Sequence, residues 1–356
     1  MIKTKAYAAL TEVTAHTPNA LVVYDFERRE PGAHDIVIKI HYCGICHSDI
    51  HKVRNEWASW SPTTYPIVPG HEIVGVVERI GLDVKKFKVG DLAGVGCMVN
   101  TCRTCGNCAA NEEQFCEQGV TFTYNSPDPH GPGIMTYGGY SDRIVVNEDF
   151  GLHVPSNLDL AAVAPLLCAG ITTYSPLKRW LKKGQRVGIL GLGGLGHMAI
   201  KLAKAMGGEV TLFTTSSKKY AEGLRLGADH VVIATDPTAR MAQANQFHLL
   251  IDTISGDHDI NAYLGLLKLD GVMVMLGLPE KDLALKVARL AAPRRILTAS
   301  LIGGILETQE MLDFCAVHNI VSDIELIAIQ DVNIAYERVL KHDVKYRFVI
   351  DMSTLV

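Results

Sequence analysis

The stretch that decides the fold is Val187-Gly-Ile-Leu190-Gly191-Leu-Gly193-Gly194-Leu195-Gly196. A short apolar strand runs directly into glycines spaced G-x-G-x-x-G, and the helical stretch His197–Met206 follows. In this setting one glycine makes the tight turn, one lets the backbone approach a pyrophosphate, and one lets helix and strand pack closely. The helix N-terminus adds N–H groups and a positive dipole end. We predict a dinucleotide-binding turn; the alternative is a glycine-rich loop of an unrelated α/β protein.

The alternation of strands and helices continues after this turn. A helical stretch surrounds Lys218–Leu226, and apolar runs typical of strands recur at Val210–Phe213, Val231–Ile233, Leu249–Thr253 and Val272–Leu276. The pattern predicts an α/β domain with a doubly wound parallel sheet, the Rossmann type.

The segments on both sides of this domain have a different pattern. The tail predicts a helix over Glu307–His318 and a strand over Arg347–Asp351. The N-terminal part is rich in short strands separated by Gly, Pro and Asp, which predicts an antiparallel or barrel-like domain: Asp35–Ile40, Glu72–Ile80, Leu92–Val95 and Tyr140–Val146. We place the domain limits at 1–158, 159–299 and 300–356, with the tail completing the first domain.

Length and composition agree with two domains of an ordinary globular protein. The chain has 356 residues, whereas single cores stop growing near ~250–300 residues. The net charge of −4 gives no reason to expect a nucleic-acid or membrane partner. The N-terminus lacks the apolar core of a secretory signal, and the most apolar run, Val187–Leu195, is too short to span a bilayer. We therefore expect a cytoplasmic protein whose nine cysteines are thiols or metal ligands.

The residues after the second strand indicate which dinucleotide binds. An NAD enzyme tends to carry an acid about 20 residues after the turn, where it bonds the ribose 2′-OH. Here the chain reads Thr214-Thr215-Ser216-Ser217-Lys218-Lys219, with no acid. Hydroxyls and ammonium groups suit a 2′-phosphate, so we predict NADP(H). The alternative is a solvated helix N-cap, where Ser and Thr are also favoured.

Four cysteines crowd into one short segment with the spacing Cys102-x2-Cys105-x2-Cys108-x7-Cys116. Four thiolates at this spacing suit a closed tetrahedral zinc site. An iron–sulfur cluster also takes four cysteines, usually at a different spacing. A zinc-ribbon nucleic-acid module is a further alternative, which the acidic chain disfavours.

A second set of metal-ligating residues is dispersed along the chain. Cys46-His47-Ser48-Asp49-Ile-His51 is followed by Pro69-Gly-His71-Glu72, and Cys168 lies where the nucleotide domain begins. Together they supply the Cys₂His set of a catalytic zinc, with a fourth position free for water or substrate.

These motifs, in this order, resemble the medium-chain zinc alcohol dehydrogenases. The segments Thr214–Lys219, Leu267–Gly271, Glu310–Cys315 and Asp343–Asp351 are more similar to the cinnamyl alcohol dehydrogenase branch. The resemblance covers essentially the whole chain. It implies a GroES-like catalytic domain that is interrupted by a Rossmann domain and completed by the C-terminal tail.

The resemblance also implies a role for each site residue. Cys46, His71 and Cys168 would hold the catalytic zinc, Glu72 would be a neighbouring or transient ligand, and Asp49 would orient His71. Ser48 and His51 would relay a proton to the reacting oxygen. The lobe cysteines Cys102, Cys105, Cys108 and Cys116 would hold a structural zinc. The expected cofactor-binding residues are His47, Thr172, Gly191, Gly193, Gly194, Leu195, Gly196, Thr214, Thr215, Ser216 and Lys219.

We therefore expect an NADP(H)-dependent zinc enzyme that interconverts aldehydes and primary alcohols, and a homodimer, which is common in the family. Alternatives are an NAD-dependent polyol or secondary-alcohol dehydrogenase and, in another class, a non-catalytic zinc- and nucleotide-binding protein. The chain is a few residues longer than near relatives through Trp57–Pro62, which borders the expected substrate cleft. Trp57, Trp60, Cys97 and Ile302 are candidate pocket residues.

Overall fold

The computed structural model describes residues 1–14, 17, 20–131, 133–279 and 281–356. The chain forms two compact units. The first joins Met1–Cys168 to Gly303–Val356, and the second is Ala169–Ile302. The sequence-based domain limits at 158/159 and 299/300 stay a prediction.

The strands of the described residues are, in chain order, β1 Ile2–Ala8, β2 Val22–Arg28, β3 Asp35–Gly44, β4 Ile73–Ile80, β5 Leu92–Val95, β6 Met98–Asn100, β7 Thr121–Phe122, β8 Arg143–Asn147, β9 Leu152–His153, β10 Arg186–Leu190, β11 Glu209–Thr214, β12 His230–Ile233, β13 Phe247–Asp252, β14 Leu267–Met275, β15 Ile296–Ala299, β16 Ile324–Ala328 and β17 Arg347–Asp351. The α-helices are α1 His47–Val53, α2 Gly106–Ala109, α3 Leu160–Val163, α4 Ala169–Trp180, α5 Gly194–Ala205, α6 Tyr220–Arg225, α7 Pro237–Met241, α8 Ile260–Leu264, α9 Ala288–Ala291, α10 Ile305–His318 and α11 Val332–Leu340.

The first unit is built on a mostly antiparallel sheet in the order β16-β17-β3-β4-β5-β9, with β8 also paired to β3. Its central strand β3 is rich in β-branched residues, and Ile36, Val37 and Ile38 are fully buried. Tail strand β17 pairs antiparallel with the end of β3 at Cys43 and Gly44. The two distant stretches of chain therefore share one core.

The second unit contains a six-stranded parallel sheet in the order β12-β11-β10-β13-β14-β15. The predicted doubly wound α/β fold is confirmed. Strand β10 is a continuous apolar run because both faces of a parallel sheet are covered. Helix α5 begins at Gly194, three residues before the predicted start, because Gly193 is its N-cap.

One predicted strand is shorter than expected. The run Tyr140–Val146 becomes a strand only from Arg143. The residues before it pair elsewhere: the Gly139 and Tyr140 amides donate to the carbonyls of Gly70 and Pro69. Tyr140 is thereby placed next to the segment that carries His71.

No single helix among the described residues has the length and apolarity needed to cross a membrane. Leu160–Leu167 with Ala169–Trp180 would pass as a bent pair, by length and composition only.

Candidate active site and metal centres

Four predicted ligands converge in the first unit. The donor atoms of Cys46, His71, Glu72 and Cys168 all lie within 4.8 Å of one another. Cys46 caps α1, His71 and Glu72 precede β4, and Cys168 follows a 3-10 turn. The sulfurs of Cys46 and Cys168 are 3.9 Å apart. Two thiols and an imidazole in one pocket fit a zinc ion with an open position.

Asp49 connects these ligands to the backbone. Its Oδ1 lies 3.2 Å from Nδ1 of His71 and accepts the Gly70 amide, while Oδ2 accepts the Cys46 amide at 2.9 Å. Asp49 is fully buried. Burial alone would lower the pKa of His71, but the Asp49 carboxylate beside it holds that pKa well above its usual value. With Nδ1 facing Asp49, Nε2 faces the other ligands, which is the orientation a metal-binding histidine needs.

Glu72 is paired with an arginine that the sequence analysis did not single out. Arg347 of β17 contacts Glu72 Oε1, and both side chains are buried. Burial raises the pKa of Glu72 to about 7, and the Arg347 guanidinium opposes this rise. Among the described residues, Oε2 of Glu72 has no hydrogen-bond partner. A buried unpaired acceptor next to two thiols fits an atom that can reach a cation.

The predicted proton-relay residues lie on α1. The Oγ of Ser48 is 3.7 Å from the Cys46 sulfur, so its hydroxyl is next to the ligand set. One turn further on, Nδ1 of His51 contacts the carboxylate of Glu56. Glu56 is a second residue that the sequence analysis missed, although an acid five residues after a histidine was visible.

The Trp57–Pro62 segment packs against the predicted relay residue His51. The ring of Trp57 stacks on His51 with centroids 5.0 Å apart, and Trp60 lies 5.1 Å from Trp57. The side chain of Trp60 is 65% exposed. His47, the predicted pyrophosphate contact, is exposed, and its ring is 6.2 Å from that of His51.

Two further side chains flank the ligand set. The thiol of Cys97, a candidate pocket residue, lies 3.8 Å from the Leu167 carbonyl, and its pKa is lowered by hydrogen bonding with Cys168. The ring of Tyr124 is 5.7 Å from that of His71. Burial raises the pKa of Tyr124 well above its usual value, so this phenol stays protonated.

The four lobe cysteines form a second, separate cluster whose sulfurs also lie within 4.8 Å of one another. The Cys105 amide donates to the Cys102 sulfur and the Cys102 amide donates to the Cys116 sulfur. Backbone amides that point at Cys102 lower the pKa of its thiol to about 6. These amides therefore favour the thiolate of Cys102, the form that zinc binds, whereas burial raises the pKa of Cys108 to about 12.

The lobe is anchored to the C-terminal tail. Glu113 accepts the backbone amide of Ile305 at the start of α10 at 3.0 Å. A carboxylate in this place satisfies an unpaired N–H and interacts well with the helix dipole. The Asn111 carbonyl would overlap a Cβ on Gly304, so the tail approaches the lobe closely.

In the second unit, the glycines predicted to bind a dinucleotide form a tight turn at the junction of β10 and α5, which we call the cradle. Gly191 has φ of +91°, and a Cβ on Gly196 would lie 2.2 Å from the Gly191 carbonyl oxygen. A Cβ on Gly193 would meet open space. Gly194 and Leu195 begin α5. The turn therefore leaves room above Gly193 for a phosphate next to a helix N-terminus.

The residues predicted to select the cofactor lie at the end of β11. Thr214 is buried and its Oγ1 accepts the Ser216 amide, whereas Thr215 is exposed. The ammonium group of Lys219 donates to the carbonyl of Leu192 in the glycine turn at 2.7 Å. Lys219 thus lies between the hydroxyl-rich loop and the turn. Thr172 is buried in α4.

Comparison with known proteins gives consistent results for both units. Residues 32–156 match the family model of the alcohol dehydrogenase GroES-like domain, and residues 194–317 match that of the zinc-binding dehydrogenases. The chain is 52% identical over 357 residues to NADP-dependent alcohol dehydrogenase C 1 of Mycolicibacterium smegmatis, covering 100% of this chain and 99% of that protein. It is 52% identical to aldehyde reductase YahK of Escherichia coli, covering 93% and 94%. The crystal structure of a cinnamyl alcohol dehydrogenase from Helicobacter pylori in complex with NADP(H) superposes with a TM-score of 0.91 at 42% identity, covering 100% and 99%.

Proposed function

This chain belongs to the zinc-dependent medium-chain alcohol dehydrogenases, in the cinnamyl alcohol dehydrogenase-like branch, and on that basis we propose that it interconverts aldehydes and primary alcohols with NADP(H). The observation that carries the proposal is the convergence of Cys46, His71 and Cys168 beside a serine hydroxyl. A sensor without turnover would have no need of a proton donor next to an open metal set.

The metal and the cofactor supply chemistry that the side chains lack: zinc acts as a Lewis acid on the substrate oxygen, and NADPH supplies hydride. Cys46, His71 and Cys168 would hold the catalytic ion, and Cys102, Cys105, Cys108 and Cys116 would hold the structural one.

The other site residues position ligands and move a proton. Asp49 keeps the His71 ring turned toward the ligand set. Ser48 donates a proton to the reacting oxygen. His51, held by Glu56, then supplies Ser48 with a new proton from solvent. The contact with Glu56 fixes the orientation of the His51 ring, which suits a group that passes a proton to a donor.

Thr214–Lys219 supports NADP(H) over NAD(H). The segment after β11 carries hydroxyls and Lys219, where an NAD enzyme would carry an acid that binds the 2′-OH. Thr214→Asp should repel the 2′-phosphate and move preference toward NADH, while Thr215→Ser should leave it unchanged.

The proposal is tested by NADPH oxidation at 340 nm with a panel of aromatic and aliphatic aldehydes, a ketone and a ketose. We expect turnover of aldehydes with NADPH and a much lower kcat/KM with NADH. Preference for the ketone or ketose would favour the secondary-alcohol or polyol alternative. Equal use of NADH would overturn the assignment of the 214–219 loop.

Metal content gives an independent test. We expect two zinc ions per chain. Cys105→Ala should leave one and lower the melting temperature strongly, because a closed site one ligand short no longer orders its lobe. A single zinc, or iron, in the purified wild type would contradict the two-site assignment.

We further propose a homodimer that forms through the edge of the second unit's sheet. Within the part of the chain that the structure describes, strand β15 pairs with β14 alone, so its outer edge can pair with a second copy. Ile296 on this strand is 40% exposed and Leu301 beyond it is 44% exposed. Analytical ultracentrifugation should show a dimer, and Ile296→Lys with Leu301→Lys should shift it toward monomer.

The nine free cysteines suit a reducing compartment, and we propose the cytoplasm.

A further inference from the structure

A buried ion pair lies beside the glycine turn and has no part in the scheme above. Asp252 is the last residue of β13 and pairs in register with Leu190, the residue immediately before Gly191. In the order β12-β11-β10-β13-β14-β15 the chain reverses direction of winding between β10 and β13. Ligands of doubly wound sheets bind at this switch point, outside the carboxyl ends of the strands.

The partner of Asp252 is His258, and both imidazole nitrogens are engaged. Nε2 lies 2.8 Å from Asp252 Oδ2, and Nδ1 lies 2.9 Å from the carbonyl oxygen of Gly256. A carboxylate and a carbonyl are both acceptors, so both ring nitrogens must donate, which makes His258 an imidazolium. The Asp252 carboxylate is 0% exposed and the His258 side chain 9% exposed. The hydrogen bond to Asp252 also raises the pKa of His258.

The pair fixes the loop 253–257, which packs on the glycine turn. Thr253 donates through its amide and its hydroxyl to the Leu190 carbonyl, the hydroxyl at 2.7 Å. A Cβ on Gly191 would meet the Thr253 hydroxyl at 3.1 Å and Ile254 at 3.3 Å. Ile254 in turn donates its amide to Asp252 Oδ1. A shift of this loop would therefore change the shape of the cradle.

The charge of the pair matters as much as its position. An unpaired carboxylate next to a turn that binds pyrophosphate would repel the anionic ligand, and in a buried setting the repulsion is weakly screened. The imidazolium of His258 cancels that charge. Tyr263, whose ring centroid is 6.2 Å from that of His258, covers the pair from α8.

We propose that Asp252 and His258 are positioning residues for NADP(H), acting through loop 253–257 on the half of the cofactor that lies on the β13 side of the glycine turn. The proposal rests on the proposed function, since it assumes that NADP(H) is the ligand. Strand β11 and the 214–219 loop lie on the opposite side of β10 from β13, and this is the side where the adenosine 2′-phosphate half would bind. A substitution in the Asp252–His258 pair should therefore weaken the contacts of the cofactor half on the β13 side. The contacts of the adenosine 2′-phosphate half should stay unchanged.

The test compares two ligands on the zinc-loaded, full-length protein. We measure the Kd of NADPH by fluorescence and the Kd of adenosine 2′,5′-bisphosphate by calorimetry for wild type, His258→Asn and Thr253→Val. Thr253→Val removes the hydroxyl bond with almost no change in volume and guards against a misfolded His258→Asn. His248→Asn is the matched control, because His248 lies on the same strand and its Nδ1 accepts the Arg186 amide at the far end.

We expect His258→Asn to raise the Kd of NADPH by about tenfold, the cost of leaving a buried charge unpaired, and Thr253→Val to raise it a few-fold. In both variants, the Kd of adenosine 2′,5′-bisphosphate and the zinc content should stay within twofold of wild type. The His248→Asn control should keep all of these values, and the Kd of NADPH, within twofold. Unchanged NADPH binding in folded variants, or equal loss of both ligands, overturns the inference. If wild type binds neither ligand, the proposed cofactor itself is wrong, which is a separate outcome.

Discussion

Each unit of the chain contains a buried aspartate–histidine pair, and the two pairs differ in what the second ring nitrogen does. In the first unit, Nδ1 of His71 faces Asp49, and Nε2 lies 4.0 Å from Glu72 within the ligand set. In the second, both nitrogens of His258 are used, one by Asp252 and one by Gly256 of its own loop. A carboxylate can thus orient an imidazole for metal binding or can help to fix a loop. The role depends on what the second ring nitrogen contacts.

The largest effect should follow from removing the ligand histidine. His71→Ala should lose one zinc per chain and turnover by about 10⁴-fold or more, because Lewis-acid assistance contributes several kcal/mol. Turnover and metal analysis check this, with His258→Asn as the control that keeps both zincs. Retention of two zincs in His71→Ala would remove His71 from the ligand set.

A smaller loss of turnover should follow from a change that leaves Asp49 and His71 intact. Ser48→Ala removes the proposed proton donor and should lower kcat by about 10²–10⁴-fold with both zincs and NADPH binding retained. Ser48→Thr keeps a hydroxyl and should recover most of the rate. Full turnover in Ser48→Ala, under conditions where chemistry is rate-limiting, would exclude Ser48 from the relay.

Replacing each carboxylate with an amide should distinguish the roles of the two aspartate–histidine pairs. Asp49→Asn keeps the size of the side chain but weakens its hold on His71, and we expect about a 10–100-fold loss of zinc affinity or activity. Asp252→Asn should leave zinc affinity unchanged. Competition with a chelator measures the difference, and an equal response of the two variants would contradict separate roles.

The smallest effect is the pH dependence of stability. The pKa of His258 is raised in the folded state, mainly by its hydrogen bond to Asp252 and also by the nearby Asp259. The charged His258 therefore stabilises the folded state fully below the unfolded pKa of about 6.5. This stabilisation is lost as the pH rises through the folded pKa of His258.

We expect a contribution of about 1 kcal/mol, the net size of a typical hydrogen bond in a folded protein. The stability advantage of wild type over His258→Asn should shrink from pH 6 to pH 9 in denaturant titrations. An advantage that grows with pH would contradict a charged His258.

The same contrast explains how much the sequence could predict. Asp49 and His71 lie within short motifs that resemble those of a known family, so their roles could be predicted from the sequence. Asp252 ends β13 and His258 follows it by six residues, in a stretch that has no such motif. Arg347 was missed for a related reason, since its partner Glu72 is 275 residues away and only the sheet pairing of β17 with β3 brings them together.

Local elements were predictable to the extent that their hydrogen bonds are local. Strand β10 and the glycine turn were predicted because strand, turn and helix are consecutive. The start of the strand predicted at Tyr140–Val146 was wrong, because the Gly139 and Tyr140 amides bond to residues some 70 positions earlier. The apolar pattern of the run does not indicate these partners.

The placement of β17 has a consequence for how the protein is made. Synthesis delivers the whole of the second unit before Arg347, yet β17 lies between β16 and β3, inside the first unit's sheet. While the ribosome is still translating, the second unit can fold as an independent domain. The first must wait with β3 unpaired along part of one edge and Glu72 without its counter-ion. The ligand set beside Glu72 therefore reaches its final surroundings only after the C-terminal tail has been synthesised.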